Sequence, residues 1–277
     1  MLRSAISPNI VSWLWLSISA AGLAVIGNFV ALSTPKIYAS LTPAFLPQAY
    51  AQDIANLAVV APAWLILAVL AWRGSVRAYL LWLGVLAFTV YNYVIYTFSI
   101  PFGPLFLLWV AVFGLSLYAL IGGVTSVDNE AMKTAYTSRR AVKVVAWILI
   151  VVGLLFGLLW LSEDIPALLS GTTPQSLIDL GVPANPVHIL DLGFFLPGAI
   201  TTGVLLLKKR PLAYTLAPSF LVFLLLTGIP ILLTPVIQAN LGEPADWSIL
   251  VPIGSLILVL LVLLAWLLTT IRPKNVL

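Results

Sequence analysis

His188 and Asp191 are the residues of this sequence whose types and spacing most directly suggest chemistry. His188 is the only histidine of the chain, and Asp191 is a carboxylate inside an otherwise apolar segment. On a helix, side chains three residues apart share one face. A carboxylate beside an imidazole can orient the ring, relay a proton or support general acid–base catalysis. Ionisable side chains at membrane depth are costly, so we interpret this pair as the centre of a functional site.

Further polar residues at helical spacing could complete such a site. Asp53 and Asn56 are three residues apart, Asn92 and Tyr96 are four apart, and Asn185 precedes Pro186 as a helix cap would. The competing interpretation is that Asn92 only bonds a neighbouring helix, and that Glu163, Asp164 and Asp179 are solvated at helix ends or in loops. The candidate site residues are His188, Asp191, Asp53, Asn56, Asn92, Tyr96, Asn185 and Glu163.

The composition sets the environment of these residues. Hydrophobic residues make up 62% of the chain and charged residues 8%, whereas soluble domains have roughly 45–50% and 25%. A membrane-spanning helix needs about 20 apolar residues. The sequence therefore predicts an all-α polytopic membrane protein with eight spans, at about 9–31, 54–72, 78–99, 103–124, 142–161, 189–207, 213–235 and 247–270.

The basic residues predict the orientation of the spans. If the N-terminus is cytoplasmic, 12 of the 13 basic residues fall on the cytoplasmic side, from Arg3 to Lys274, and only Lys36 falls outside. Cytoplasmic loops carry such an excess. We therefore predict an inner-membrane protein with both termini cytoplasmic and with the candidate site near the outer surface. The basic residues are scattered through short loops, which argues against nucleic acid as a partner.

The chain offers few ligands for a cofactor. It has no cysteine, which excludes disulfides and thiolate metal sites. A single histidine cannot build a bis-histidine haem site or a histidine-rich metal cage. Mixed ligation of a divalent metal by His188, Asp53, Asp191 and Glu163 has no diagnostic spacing. We therefore assign neither a metal nor a cofactor.

The polar loop 125–141 divides the chain into two four-span halves, 1–124 and 142–277. The two halves can be aligned so that Asp53–Phe88 lies over His188–Phe223, which we call the repeat alignment. This alignment matches Pro62 with Pro197. This indicates a parallel internal repeat, in which the two polar helix starts would face each other. The alternative is a chance match between similarly apolar segments. In both halves the proline should loosen its helix near the polar residues.

Several motifs resemble a widespread group of bacterial integral membrane proteins of about this length. They are the Tyr91-Asn92-Tyr93-x-x-Tyr96-x-Phe98 segment, the Phe102–Phe106 turn, the Asn185–Pro197 run and the basic turn before Tyr214. The likeness covers most of the chain, and the Asn185–Pro197 run is its most specific part. No established activity attaches to that group, so the resemblance implies an eight-span topology and no mechanism.

Three functional hypotheses remain open at this stage. The first is an outward-facing polar pocket that binds a small ligand or ion, with proton-coupled transport as one form of it. The second is a membrane-embedded enzyme for a lipid or lipophilic substrate, with His188 as acid–base and Asp191 as its orienting residue. The third is an accessory subunit of a membrane complex or oligomer, whose polar residues only hold helices together.

Overall fold

The computed structural model describes Ile6 and residues 10–272, and every regular element in that part of the chain is a helix. Within these described residues, eight helices are long and apolar enough to cross a membrane, so the chain is a multi-pass membrane protein. Arg3 and Lys274, which contribute to the predicted orientation, lie outside the described residues. Spans 1 to 8 are Ile10–Ser33, Phe45–Trp72, Val76–Ser99, Phe106–Thr125, Arg139–Ser170, Pro186–Leu207, Pro211–Leu241 and Trp247–Thr269.

Two spans extend further than the sequence pattern predicts. Span 2 begins at Phe45 rather than at residue 54, because Pro47 lies in its first turn, where no backbone amide is needed for the helix. Span 5 continues past residue 161 and includes Pro166, ending at Gly171 in a left-handed cap. Residues 165–170 therefore form the last part of span 5. Asp53 and Glu163 consequently lie inside helices rather than at their ends or in a loop.

Spans 2 and 6 each contain a five-residue π-helical segment, Asn56–Val60 and Asp191–Phe195. Pro62 and Pro197 follow these segments closely. A proline lacks an amide hydrogen and clashes with the carbonyl four residues earlier, and a wider turn relieves both effects. The expectation that the prolines loosen these helices near the polar residues is confirmed. Span 7, by contrast, is α-helical throughout Pro211–Leu241 although it contains Pro218, Pro230 and Pro235.

Spans 3 and 7 cross at the centre of the bundle. Span 3 is the most buried span and packs against spans 2, 4 and 7. At the crossing, a Cβ atom on Gly84 would lie 2.5 Å from Cβ of Val222 and 2.8 Å from the carbonyl oxygen of Ser219. The hydroxyl of Ser219 donates to the carbonyl oxygen of Leu80 at 3.2 Å. Glycine at position 84 therefore permits the close approach of these two helices.

The two ends of the bundle differ in charge. The basic end carries the turns around Arg73, Arg139 and Lys208, and there Arg77 Nη2 donates to the carbonyl oxygen of Ile271 at 2.8 Å. Part of the predicted linker 125–141 forms a short helix, Asn129–Ala135, which packs on span 7 at this end. The opposite, acidic end carries the candidate site residues together with Asp164, Asp179, Glu243 and Asp246.

Candidate functional site

The eight candidate residues form two separate clusters with span 3 between them. Asp53, Asn56, Asn92 and Tyr96 form the Asp53 cluster, and Glu163, Asn185, His188 and Asp191 form the His188 cluster. Consecutive residues of span 3 face different clusters. Asn92 donates to Asn56 Oδ1 at 3.2 Å, in the Asp53 cluster. The preceding residue, Tyr91, lies close to Asp191 of the His188 cluster, and its ring packs edge-on against Phe195. No hydrogen bond among the described residues joins the two clusters.

Asp53 is completely buried and accepts hydrogen bonds from two tyrosines. The Tyr38 hydroxyl donates to Oδ2 at 2.8 Å and the Tyr96 hydroxyl donates to Oδ1 at 2.6 Å. Tyr38 comes from the short 3-10 helix Pro35–Tyr38, which connects spans 1 and 2. Burial, followed by the nearby Asp53 carboxylate, raises the pKa of the Tyr38 hydroxyl above its ordinary value. Asp53 forms no ion pair with any described basic residue.

A separate network of amides lies in the helix interface beside Asp53, and the stacked rings of Tyr93 and Tyr96 connect the two sets. Asn56 Nδ2 donates to Asn28 Oδ1 at 3.0 Å, and Asn28 Nδ2 donates to the hydroxyl of Tyr93 at 3.1 Å. Asn56 Oδ1 also accepts from Gln52 at 3.0 Å. Polar side chains inside a bundle are stable when they satisfy one another in this way. The geometry of Asn56 and Asn92 is therefore that of helix packing.

His188 is held by Asp164 rather than by Asp191. Its Nδ1 atom lies 3.0 Å and 3.1 Å from the two carboxylate oxygens of Asp164, and Nε2 lies 3.9 Å from Glu163 Oε2. The imidazole stacks on Trp160 with ring centroids 4.6 Å apart. Asp191 instead accepts a hydrogen bond from Trp160 Nε1 at 2.8 Å. The expected pairing of His188 with Asp191 is wrong, because span 5 supplies a nearer carboxylate.

Asp164 is the residue that sequence reasoning left out of the site. It was interpreted with Glu163 as solvated, but both belong to span 5 and their side chains are 24% and 32% exposed. The signal that could have identified them is an acidic pair at the end of an apolar run, shortly before the only histidine. The turn of span 5 that approaches His188 could not be identified without knowing where span 5 ends.

Asn185 fixes the start of span 6, as the sequence predicts. Its Oδ1 atom accepts from the backbone amides of Val187 at 3.0 Å and His188 at 3.4 Å, with Pro186 as the first helical residue. Its amide group donates to Ser176 Oγ at 3.2 Å, and the backbone amide of Ser176 donates to Glu163 Oε1 at 2.9 Å. The cap thus ties the connecting segment between spans 5 and 6 to the carboxylates around His188.

A groove with a volume of about 350 Å³ opens beside this cluster. Asp164, Asn185, His188 and Thr172 are its polar lining residues, and the other walls are aliphatic. No group of three or more His, Cys, Asp or Glu side chains within residues 10–272 has a metal-binding arrangement. Comparisons of the chain with protein-family models, curated proteins and solved structures found no match.

Proposed function

We propose that this chain is a multi-pass protein of a bacterial inner membrane that binds a small ligand at its acidic end. The observation that carries this proposal is the imidazole of His188, which Asp164 holds in the wall of a groove with otherwise mostly apolar walls. Small-molecule sites are typically concave and apolar, with a few convergent polar groups. Every residue of the Asp53 cluster is buried and hydrogen-bonded to another side chain, so we assign this cluster a packing role.

The charge asymmetry of the bundle supports an outward-facing groove with both termini cytoplasmic. The basic turns gather at the end opposite the groove, as the positive-inside rule requires. Because the chain contains no cysteine, single substitutions provide unique labelling sites. In intact cells a membrane-impermeant maleimide should label Thr173→Cys at the acidic end, and Thr134→Cys at the basic end only after permeabilisation. The reverse pattern would place the groove on the cytoplasmic side.

We also propose the parallel repeat of two four-span halves, which the element boundaries support. The π-helical segments Asn56–Val60 and Asp191–Phe195 coincide in the repeat alignment, and so do the α-helical segments that follow them. Gly84 and Ser219 are likewise matched in that alignment and meet at the crossing of spans 3 and 7. A two-fold axis along the membrane normal would pass near such a self-equivalent contact.

The charges around the groove favour a ligand that carries a positive charge or N–H donors. Asp164 and Glu163 approach the imidazole of His188, and Asp191 is bonded to the Trp160 ring on which that imidazole stacks. With these three carboxylates ionised, the cluster is net negative even when His188 is protonated. Such a site concentrates cations and rejects anions. The aliphatic walls formed by residues such as Leu168, Leu177 and Ile189 would hold an apolar part of the same ligand. A small organic amine fits both requirements.

Binding at one surface explains the structure better than transport. On the basic-end side of Asp191, the rings of Phe195 and Phe223 stack with centroids 4.3 Å apart, and Tyr91 packs against both. A transport route would have to open this aromatic stack. A membrane-embedded enzyme is the second candidate, because a carboxylate that fixes an imidazole through Nδ1 is the arrangement used in acid–base catalysis.

The single histidine allows a direct test of ligand binding. The protein, purified without a polyhistidine tag and labelled with ¹³C,¹⁵N-histidine, should give one set of ring signals in lipid nanodiscs. We expect saturable shifts with n-butylammonium and weaker or no shifts with n-butanol and butyrate. Asp164→Asn should abolish this response, whereas Asp246→Asn, at the same end but outside the groove, should preserve it. Ring signals that none of the three probes changes would contradict the proposal.

A further inference from the structure

An apolar groove lies between spans 1 and 2 at the basic end, far along the chain from the His188 cluster. Its volume is about 220 Å³, and all of its lining residues are apolar: Val11, Leu14, Trp15, Ile18, Ala68, Val69 and Trp72. Leu14 and Ala68 are buried and form the floor, whereas Trp15 and Trp72 are 60% and 61% exposed. The groove is therefore open towards the surface that faces lipid.

The corresponding place in the second half of the chain is closed. In the repeat alignment, Ala68 on the floor of the groove corresponds to Gly203 in span 6. A Cβ atom on Gly203 would lie 2.5 Å from the carbonyl oxygen of Ala146 and 2.7 Å from Cγ1 of Ile150 in span 5. Spans 5 and 6 thus touch where spans 1 and 2 separate. The groove at Ala68 therefore has no equivalent at Gly203, where the two helices are in contact.

The position and charge of the surroundings identify the chemistry of that occupant. Tryptophan concentrates at the membrane–water interface, so Trp15 and Trp72 place the groove just below the lipid headgroups. Arg73 follows Trp72 directly, is exposed, and forms no ion pair among the residues that the structure describes. An acyl chain matches the apolar walls, and Arg73, the residue after Trp72, offers a positive charge to an anionic headgroup.

We propose that an anionic phospholipid of the basic-end leaflet binds between spans 1 and 2, with one acyl chain in the groove and its phosphate at Arg73. The acyl chain of the lipid contacts the apolar floor of the groove. The charge of the headgroup makes the site selective for anionic over zwitterionic lipids. This inference is independent of the ligand proposed for the His188 cluster and of the orientation of the protein in its membrane.

Native mass spectrometry of the delipidated full chain tests this site. The first binding constant is measured for phosphatidylglycerol and phosphatidylcholine with identical acyl chains. We expect phosphatidylglycerol to bind about five-fold more tightly, the preference that one basic side chain near the lipid surface gives. Arg73→Gln should remove this preference. Lys208→Gln, the matched charge loss after span 6, should retain it.

A groove-filling variant tests the acyl chain separately. Ala68→Leu should weaken the first binding event for both lipids, because the added side chain occupies the floor. Equal binding of the two lipids by the unaltered chain, or equal effects of Arg73→Gln and Lys208→Gln, would overturn the proposal. Conversion of a dimer to a monomer by Ala68→Leu with unchanged lipid binding would instead identify a second copy of the chain as the occupant. The Arg73→Gln arm decides the proposal even if Ala68→Leu fails to fold.

Discussion

The Asp53 and His188 clusters are matched with each other in the proposed repeat alignment, yet one is closed and the other is open. Asp53 and His188 are matched in the repeat alignment, and each stands shortly before a π-helical segment. The chain before span 2 brings Tyr38 over Asp53, and span 3 adds Tyr96, so the carboxylate meets only neutral hydroxyl donors. The last turns of span 5 bring two carboxylates to His188 and leave a groove.

This difference shows that the local helix geometry does not decide the role of a polar residue. Both positions are followed by a π-helical segment and a proline, and they differ in the partners that neighbouring elements supply. Neutral donors satisfy a buried acid and exclude other ligands, which suits a structural role. The charged side chains around His188 lie beside an open groove, so they can still bind an external ligand.

The largest expected effect is the loss of the buried acceptor at Asp53. Asp53→Ala leaves the hydroxyls of Tyr38 and Tyr96 without their acceptor, and unsatisfied buried groups cost about 1–3 kcal/mol each. We expect the free energy of unfolding to fall by about 2–4 kcal/mol in an SDS titration followed by circular dichroism. Asp164→Ala, at a partly exposed position, should cost less than about 1 kcal/mol. An equal loss in the two variants would break the comparison between the clusters.

Removal of one donor should have an intermediate effect. Tyr96→Phe keeps the stacked ring beside Tyr93 and removes only the hydroxyl that donates to Asp53. We expect a loss of about 1–2 kcal/mol in the same unfolding titration. Tyr118→Phe is the matched control. The ring of Tyr118 is exposed, so the loss of its hydroxyl should leave the free energy of unfolding unchanged. A neutral Tyr96→Phe would mean that Asp53 does not depend on this donor.

Tyr38 should make stability depend on alkaline pH. Its raised pKa keeps the hydroxyl protonated in the folded protein, whereas the unfolded chain loses that proton at a pH of about 10. The stabilisation is therefore complete below the unfolded pKa and declines as the pH rises above it. The difference in unfolding free energy between the unaltered protein and Tyr38→Phe should be about 1 kcal/mol at pH 8 and decrease beyond pH 10. A pH-independent difference would contradict this role.

The smallest effect on stability is expected where the effect on binding is greatest. Asp164→Asn keeps a hydrogen-bonding group beside Nδ1 of His188 and should change the unfolding free energy by less than about 0.5 kcal/mol. It removes the charge, so the response of the ring signals to n-butylammonium should disappear. If the variant unfolds readily, His188 and Asp164 form a structural pair comparable to Asp53 and its tyrosines.

Much of the architecture could be predicted because it follows from composition and local spacing. Eight apolar runs predicted the eight spans, and the Asn185-Pro186 pair predicted the helix cap before His188. Helix ends were less predictable, since Pro47 and Pro166 look like breaks although both lie within helices. As a result, the sequence pattern placed Asp53 just before span 2 and Glu163 just after span 5, whereas both lie inside these helices.

The all-helical membrane architecture and the polar residues near the ends of the spans follow from the order of residues alone. Apolar length and helical periodicity are local properties, so they can be read from consecutive residues. Only the tertiary structure decided that Asp53 contacts Tyr38 and Tyr96 and that His188 contacts Asp164. These contacts join different helices, and they depend on where each helix ends and which face it turns to its neighbour. Local spacing paired His188 with Asp191, whereas helix packing paired it with a carboxylate 24 residues earlier in the chain.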